Sequence, residues 1–172
     1  MKYLNTYKLF ERIDIPEMVK GIIADSLIDL VDNGVKYRVR GGELEFIRNS
    51  TSESFCIVIS HELFNDDDSF TQFKWSDVVG SISELVSQLS DSYDISSGTM
   101  FTYRIEQDED GDDFIGEQRH FIIKFVDDEW MFSKVVERRS TLFKRMGDFE
   151  WKLIPDDMNI NQMVLEFKKK QK

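Results

Sequence analysis

VKYRVRGGELEFI, residues 35–47, followed after a polar break by FCIVIS at 55–60, decides the fold. A two-residue turn at Gly41-Gly42 supplies the positive φ angles that tight hairpins need. It sets Arg40 against Glu43, Val39 against Leu44, Arg38 against Glu45 and Tyr37 against Phe46. Each charged pair is opposite in sign and each apolar pair falls on one face, and matched cross-strand pairs contribute about 0.2–1 kcal/mol each. A slip of one residue sets Tyr37 and Val39 against charges. With the third run the reading is an antiparallel meander at 35–40, 43–48 and 55–60.

Toward the N-terminus, Asp14-Ile15-Pro16-Glu17 reads as a helix start. Asp14 or Ile15 takes the cap, and Pro16 sits in the first turn, where its missing N–H costs nothing. Apolar residues recur at Ile15, Met18, Val19, Ile22, Ile23, Leu27, Leu30 and Val31. That spacing predicts a helix over 16–32 ended by Asn33-Gly34. Ahead of it, residues 1–13 form an apolar arm in which Tyr3, Leu4, Tyr7 and Phe10 need a surface to cover them.

The opening MKYLNTYKLFE, the helix ending in DNGV and the strand after it resemble the start of many small uncharacterised accessory proteins of tailed bacteriophages. FKWSDVVGSISELVSQL, residues 73–89, is similar to a W-S/T-D-[IV] segment recurrent in that group. The resemblance covers about half the chain. It brings no functional residue with it, and it implies a viral accessory or structural protein, in the host cytoplasm or the virion.

Toward the C-terminus, HELFNDDDSF is an acidic loop that carries Phe64 and Phe70. Ser76 is the expected cap of a second helix with Val78, Val79, Ile82, Leu85, Val86 and Leu89 on its apolar face. Gly80 weakens that helix by about 1 kcal/mol relative to alanine and suggests close packing on the sheet. MFTYRIE, with Phe101, Tyr103 and Ile105 on one face, and RHFIIKFV, with Phe121, Ile123 and Phe125 on one face, form a second antiparallel pair. The spacing of Met131, Phe132, Val135, Val136, Leu142, Phe143 and Met146 predicts a helix over 128–146. Residues 149–154 are a short apolar piece, 161–167 lean to a final strand, and 168–172 are a basic, frayed tail. The whole reads as one α+β domain over 1–172, an antiparallel sheet with helices packed mainly on one face in two layers.

Composition narrows the function classes. Of 172 residues 41% are hydrophobic, which is enough for a sizeable core, and the mean hydropathy is −0.39. No apolar run reaches the length of a membrane span, and the N-terminus lacks the apolar centre of a signal peptide. A cytoplasmic protein is expected. A net charge of −11 opposes direct binding to nucleic acid and to anionic membranes. The charge is uneven: residues 1–133 hold 12 Lys and Arg against 27 Asp and Glu, and 134–172 hold 10 against 6. The single cysteine, Cys56, excludes an intrachain disulfide and reads as a small apolar residue of a strand.

Chemistry-bearing patterns are few. In EQDEDGDDFIGE, Glu106, Asp108, Asp110 and Asp112 fall at positions 1, 3, 5 and 7 of a calcium loop, with Gly111 at 6 and Glu117 at 12. Glu at position 1, Asp113 at position 8 and strand-like flanks all favour a solvated hairpin loop instead. Calcium is the one cofactor the sequence suggests. Asp66-Asp67-Asp68 near His61 and Glu62 are too nearly consecutive to converge on an ion. His120 reads as a half-buried strand residue beside Arg119. Pro155-Asp156 with Glu166-Phe167-Lys168 matches the spacing of metal-dependent nucleases, against the charge of the body. No nucleophile-base constellation can be assembled. The expectation is a non-enzymatic protein that docks on another protein through Tyr3, Leu4, Tyr7, Phe10, Phe64 and Phe70. The alternative is an acidic mimic of nucleic acid that blocks a host DNA-binding or defence protein. The self-neutralising Arg/Glu alternation of 38–45 disfavours the mimic.

Overall fold

The computed structural model describes residues 15–41, 54–61, 71–111, 113–134 and 150–170. In chain order the elements are α1 (Glu17–Ser26), α2 (Ile28–Asp32), β1 (Lys36–Gly41), β2 (Ser54–Ser60), β3 (Phe73–Lys74), α3 (Trp75–Leu89), β4 (Tyr93–Gln107), β5 (Asp113–Val126), β6 (Glu129–Lys134), β7 (Lys152–Leu153), β8 (Asn159–Ile160) and β9 (Gln162–Lys169). Among the described residues they form an antiparallel seven-stranded sheet, ordered β1-β2-β9-β4-β5-β6-β7, and a two-stranded sheet β3-β8. The architecture is α+β, as the sequence predicts.

One face of the large sheet makes the core. Its rows cross the strands as Val39, Ile57, Leu165, Gly98, Ile123 and Phe132, and as Tyr37, Ile59, Met163, Met100 and Phe121. Val19, Ile23, Leu27 and Leu30 from α1 and α2, with Val78, Ile82, Leu85 and Leu89 from α3, complete the same buried cluster. Gly98 is required in its row. A Cβ there would sit 2.5 Å from Ile123 Cγ1 and 3.3 Å from the Ile123 carbonyl. The last strand, β9, lies between β2 and β4, and its alternating Met163, Leu165 and Phe167 are all buried. Phe167 stacks on Phe55 at 5.1 Å.

Several expectations are corrected. Strand β1 pairs directly with β2, Tyr37 opposite Ile59 and Val39 opposite Ile57. The meander order with 43–48 between these strands therefore does not hold, because the apolar sets of β1 and β2 match each other as well as the nearer segment does. The Gly41-Gly42 hairpin itself falls on 42–48, outside the described residues. The expected helix over 128–146 begins instead as β6. Asp127 and Asp128 have φ of 52° and 62°, the two left-handed residues of a tight hairpin turn, so Val126 returns directly into Glu129. Residues 135–149 lie outside the described set. In β4 the core-facing residue is Met100, opposite Phe121. Phe101 turns to the second face and stacks on His120 at 4.6 Å.

The predicted 16–32 helix breaks at Leu27, whose φ of −103° and ψ of 9° separate α1 from α2. Its cap is Pro16 itself, not Asp14 or Ile15 as expected. Its end is as read: Gly34 has φ +83°, and the N–H groups of Gly34 and Val35 donate to the carbonyls of Val31 and Leu30. Helix α3 starts before Ser76: Lys74 is the cap, and its N–H donates to the Asp77 carboxylate at 3.1 Å. Gly80 faces solvent with nothing within 4 Å of an added Cβ, so it does not serve close packing. The tail expected to fray is structured over 168–170. Lys168 and Lys169 belong to β9, Lys170 N–H donates to Ser92 O at 2.9 Å, and its Nζ lies 3.3 Å from Asp94.

Candidate functional site

Strands β4 and β5 outrun the helix layer. Beyond Met100 and Phe121 the core face continues as Thr102 opposite Arg119 and Arg104 opposite Glu117. No helix covers this end among the described residues. The small sheet β3-β8 stands beside it, and between them is an open groove of about 540 Å³. Gln72, Thr102, Tyr103, Arg104, Arg119, Phe121, Met158 and Asn159 line it.

The wall is held by amides. Asn161, buried in the turn between β8 and β9, accepts the Tyr103 N–H at its Oδ1 at 2.7 Å, and its own N–H donates to Phe101 O at 3.0 Å. Gln72 donates from Nε2 to both Asn161 Oδ1 and Tyr103 O, each at 3.0 Å. These bonds tie β4 to the turn after β8. The α3 N-terminus is tied to the segment that leads into β8: Trp75 N–H donates to Met158 O and Ser76 N–H to Asp156 O.

Its charges are the two arginines. Glu117 accepts from Arg119 Nε at 3.0 Å and Nη2 at 2.9 Å, and this fork raises the Arg119 pKa. Arg104 Nε lies 3.5 Å from Glu106. A bulge between Arg104 and Ile105 brings the Glu106 side chain over Gly116, where any Cβ would overlap its Cγ and Cδ. Both carboxylates lie outside the groove's lining. Burial raises the Tyr103 pKa.

The sequence-singled residues are spread widely. Tyr3, Leu4, Tyr7, Phe10, Phe64 and Phe70, the expected docking residues, lie outside the described residues, as does Asp112. Glu106, Asp108, Asp110 and Glu117 belong to the β4-β5 hairpin and its tip. Asp108 Oδ1 accepts the Asp110 N–H, and Gly111, at φ +87°, donates to Asp108 O. The two glutamates face arginines. Among the described residues no three His, Cys, Asp or Glu side chains gather as a metal site. Asp156 sits at the start of α3 and Glu166 on the second face of β9 beside Cys56, so the nuclease-like pair does not converge. Cys56 is buried, and burial raises its pKa, partly offset by Arg40 and reinforced by Glu166. His61 contacts the Gly34 carbonyl through Nδ1 at 3.1 Å.

Sequence reasoning missed the groove residues. One signal was available: Arg104 and Arg119 are the only basic residues in 75–123, a segment with eleven Asp and Glu. Among the described residues no helix is long and apolar enough to cross a membrane. No family model, curated protein or solved structure matches the chain.

Proposed function

We propose that this is a non-enzymatic accessory protein that docks on another protein, and that the groove at the open end of β4 and β5 is its docking surface. The supporting observation is the lining. Phe121, Met158 and the Tyr103 backbone sit with Arg104 and Arg119 on a wall pinned by Asn161 and Gln72. Aromatic residues, methionine and arginine are the types enriched at protein interfaces, and a pre-pinned wall lowers the ordering cost of binding. Two arginines as the lining charges favour docking over mimicry of nucleic acid, which needs carboxylates there. The resemblance to phage accessory proteins fits the same reading.

The test is site-specific photocrosslinking in the native cells. A photoreactive phenylalanine at Thr102 is expected to give a discrete protein adduct, and one at the solvent-facing Gly80 is expected to give none. Equal adducts at both positions, or none at Thr102, would contradict the reading.

A further inference from the structure

We infer that the groove takes an extended acidic peptide segment of its partner, one carboxylate lying between Arg104 and Arg119 and a neighbouring apolar side chain lying on Phe121 and Met158. This rests on the docking reading above and names the chemistry of the partner.

Register fixes the geometry. Arg104 is opposite Glu117 and Thr102 is opposite Arg119, so the two arginines are diagonal cross-strand neighbours on one face. Diagonal neighbours stand about 7–8 Å apart at the backbone, and both arginines line one groove, where one carboxylate can accept a charge-assisted bond from each. The Glu117 fork uses the Nε/Nη2 edge of Arg119 and fixes its plane, with Nη1 on the opposite edge. The Arg119 guanidinium is therefore oriented before a ligand arrives, and part of the entropic cost of ordering it is already met. Glu106 makes a single, longer contact with Arg104, 3.5 Å from its Nε.

Openness argues for a chain segment over a small molecule. Small-ligand sites bury most of the ligand's surface, whereas the arginines here remain 68% and 49% exposed on a groove open along its side. Charge argues against a polyanion. The chain carries −11, and a nucleic-acid backbone or an anionic membrane would meet that field over many charges at once. A single carboxylate meets the groove-lining arginines at contact distance, well inside the screening length of about 8 Å at physiological salt, while Glu117 and Glu106 pair with the same arginines from outside the lining.

A random-peptide library displayed on phage and selected on the immobilised full-length chain tests this. Enriched peptides are expected to carry Asp or Glu next to an aromatic or aliphatic residue and to compete with crosslinking from Thr102. Replacing their acidic residues by Asn or Gln is expected to weaken binding about tenfold or more, as loss of a charge-assisted pair implies. Arg104→Gln with Arg119→Gln in the protein is expected to do the same. The peptide exchange reads the claim without touching the protein's fold. Enriched peptides that compete at Thr102 but bind equally well without their acids overturn the acidic specificity and leave the docking reading standing. No enriched peptide competing at Thr102 overturns both.

Discussion

Strands β4 and β5 pass through two environments on one ladder. At Gly98–Met100 and Phe121–Ile123 they lie within the core beneath α3, with Met100 and Ile123 almost wholly buried. A few residues on, at Thr102–Arg104 and Glu117–Arg119, the same pairing continues with arginines, glutamates and a groove. The covered half is held by area and shape. The open half is held by two amides and by ion pairs half in water, which contribute little to stability. The amides act on stability, whereas the two arginines, paired half in water, add little to it. That contrast is the physical ground for the proposal that the open half recognises a partner and the covered half serves as scaffold.

The contrast can be broken by substitution. Leu165→Ala, in the central row of the covered half, is expected to cost about 2–5 kcal/mol, read as a lower urea midpoint for the whole chain. Asn161→Ala removes the acceptor of the Tyr103 N–H and is expected to cost about 1–3 kcal/mol. Its signature should be local, with amide exchange rising at Tyr103 before the core opens. Tyr37 sharpens the covered half in pH. Burial, and then Asp25, push its pKa from 10.0 up to about 12. The folded state favours the neutral phenol, so its contribution is complete below pH 10 and is lost as pH rises toward 12. Tyr37→Phe should flatten that decline in a chemical-denaturation series. Gly80→Ala, on the exposed side of α3, is expected to stabilise by about 1 kcal/mol, measured as a raised thermal midpoint; no gain would mean that side is in contact.

Much of the covered half was legible because its determinants are local. Alternation in FCIVIS and MVLEF marks β2 and β9, Gly34 marks the end of the α1-α2 segment, and the spacing of Val78, Ile82, Leu85 and Leu89 marks the α3 face. Strand order was not legible, because the apolar set of β1 fits 55–60 as well as 43–48. Asp127-Asp128 was missed because aspartate tolerates positive φ less obviously than Asn-Gly does, and without that turn the apolar spacing of 130–136 suits a helix. The groove was illegible for another reason. Gln72, Arg104, Arg119 and Asn161 are brought together by pairings that span up to 89 positions, and each looks unexceptional in its own stretch.

The most direct measurement is the Arg104→Gln/Arg119→Gln double variant, read twice: thermal unfolding, and photocrosslinking from Thr102. An unchanged unfolding midpoint with loss of the crosslinked partner is the predicted result. A lowered midpoint with the crosslink retained would make the arginines scaffold and would contradict the assignment of recognition to the open half.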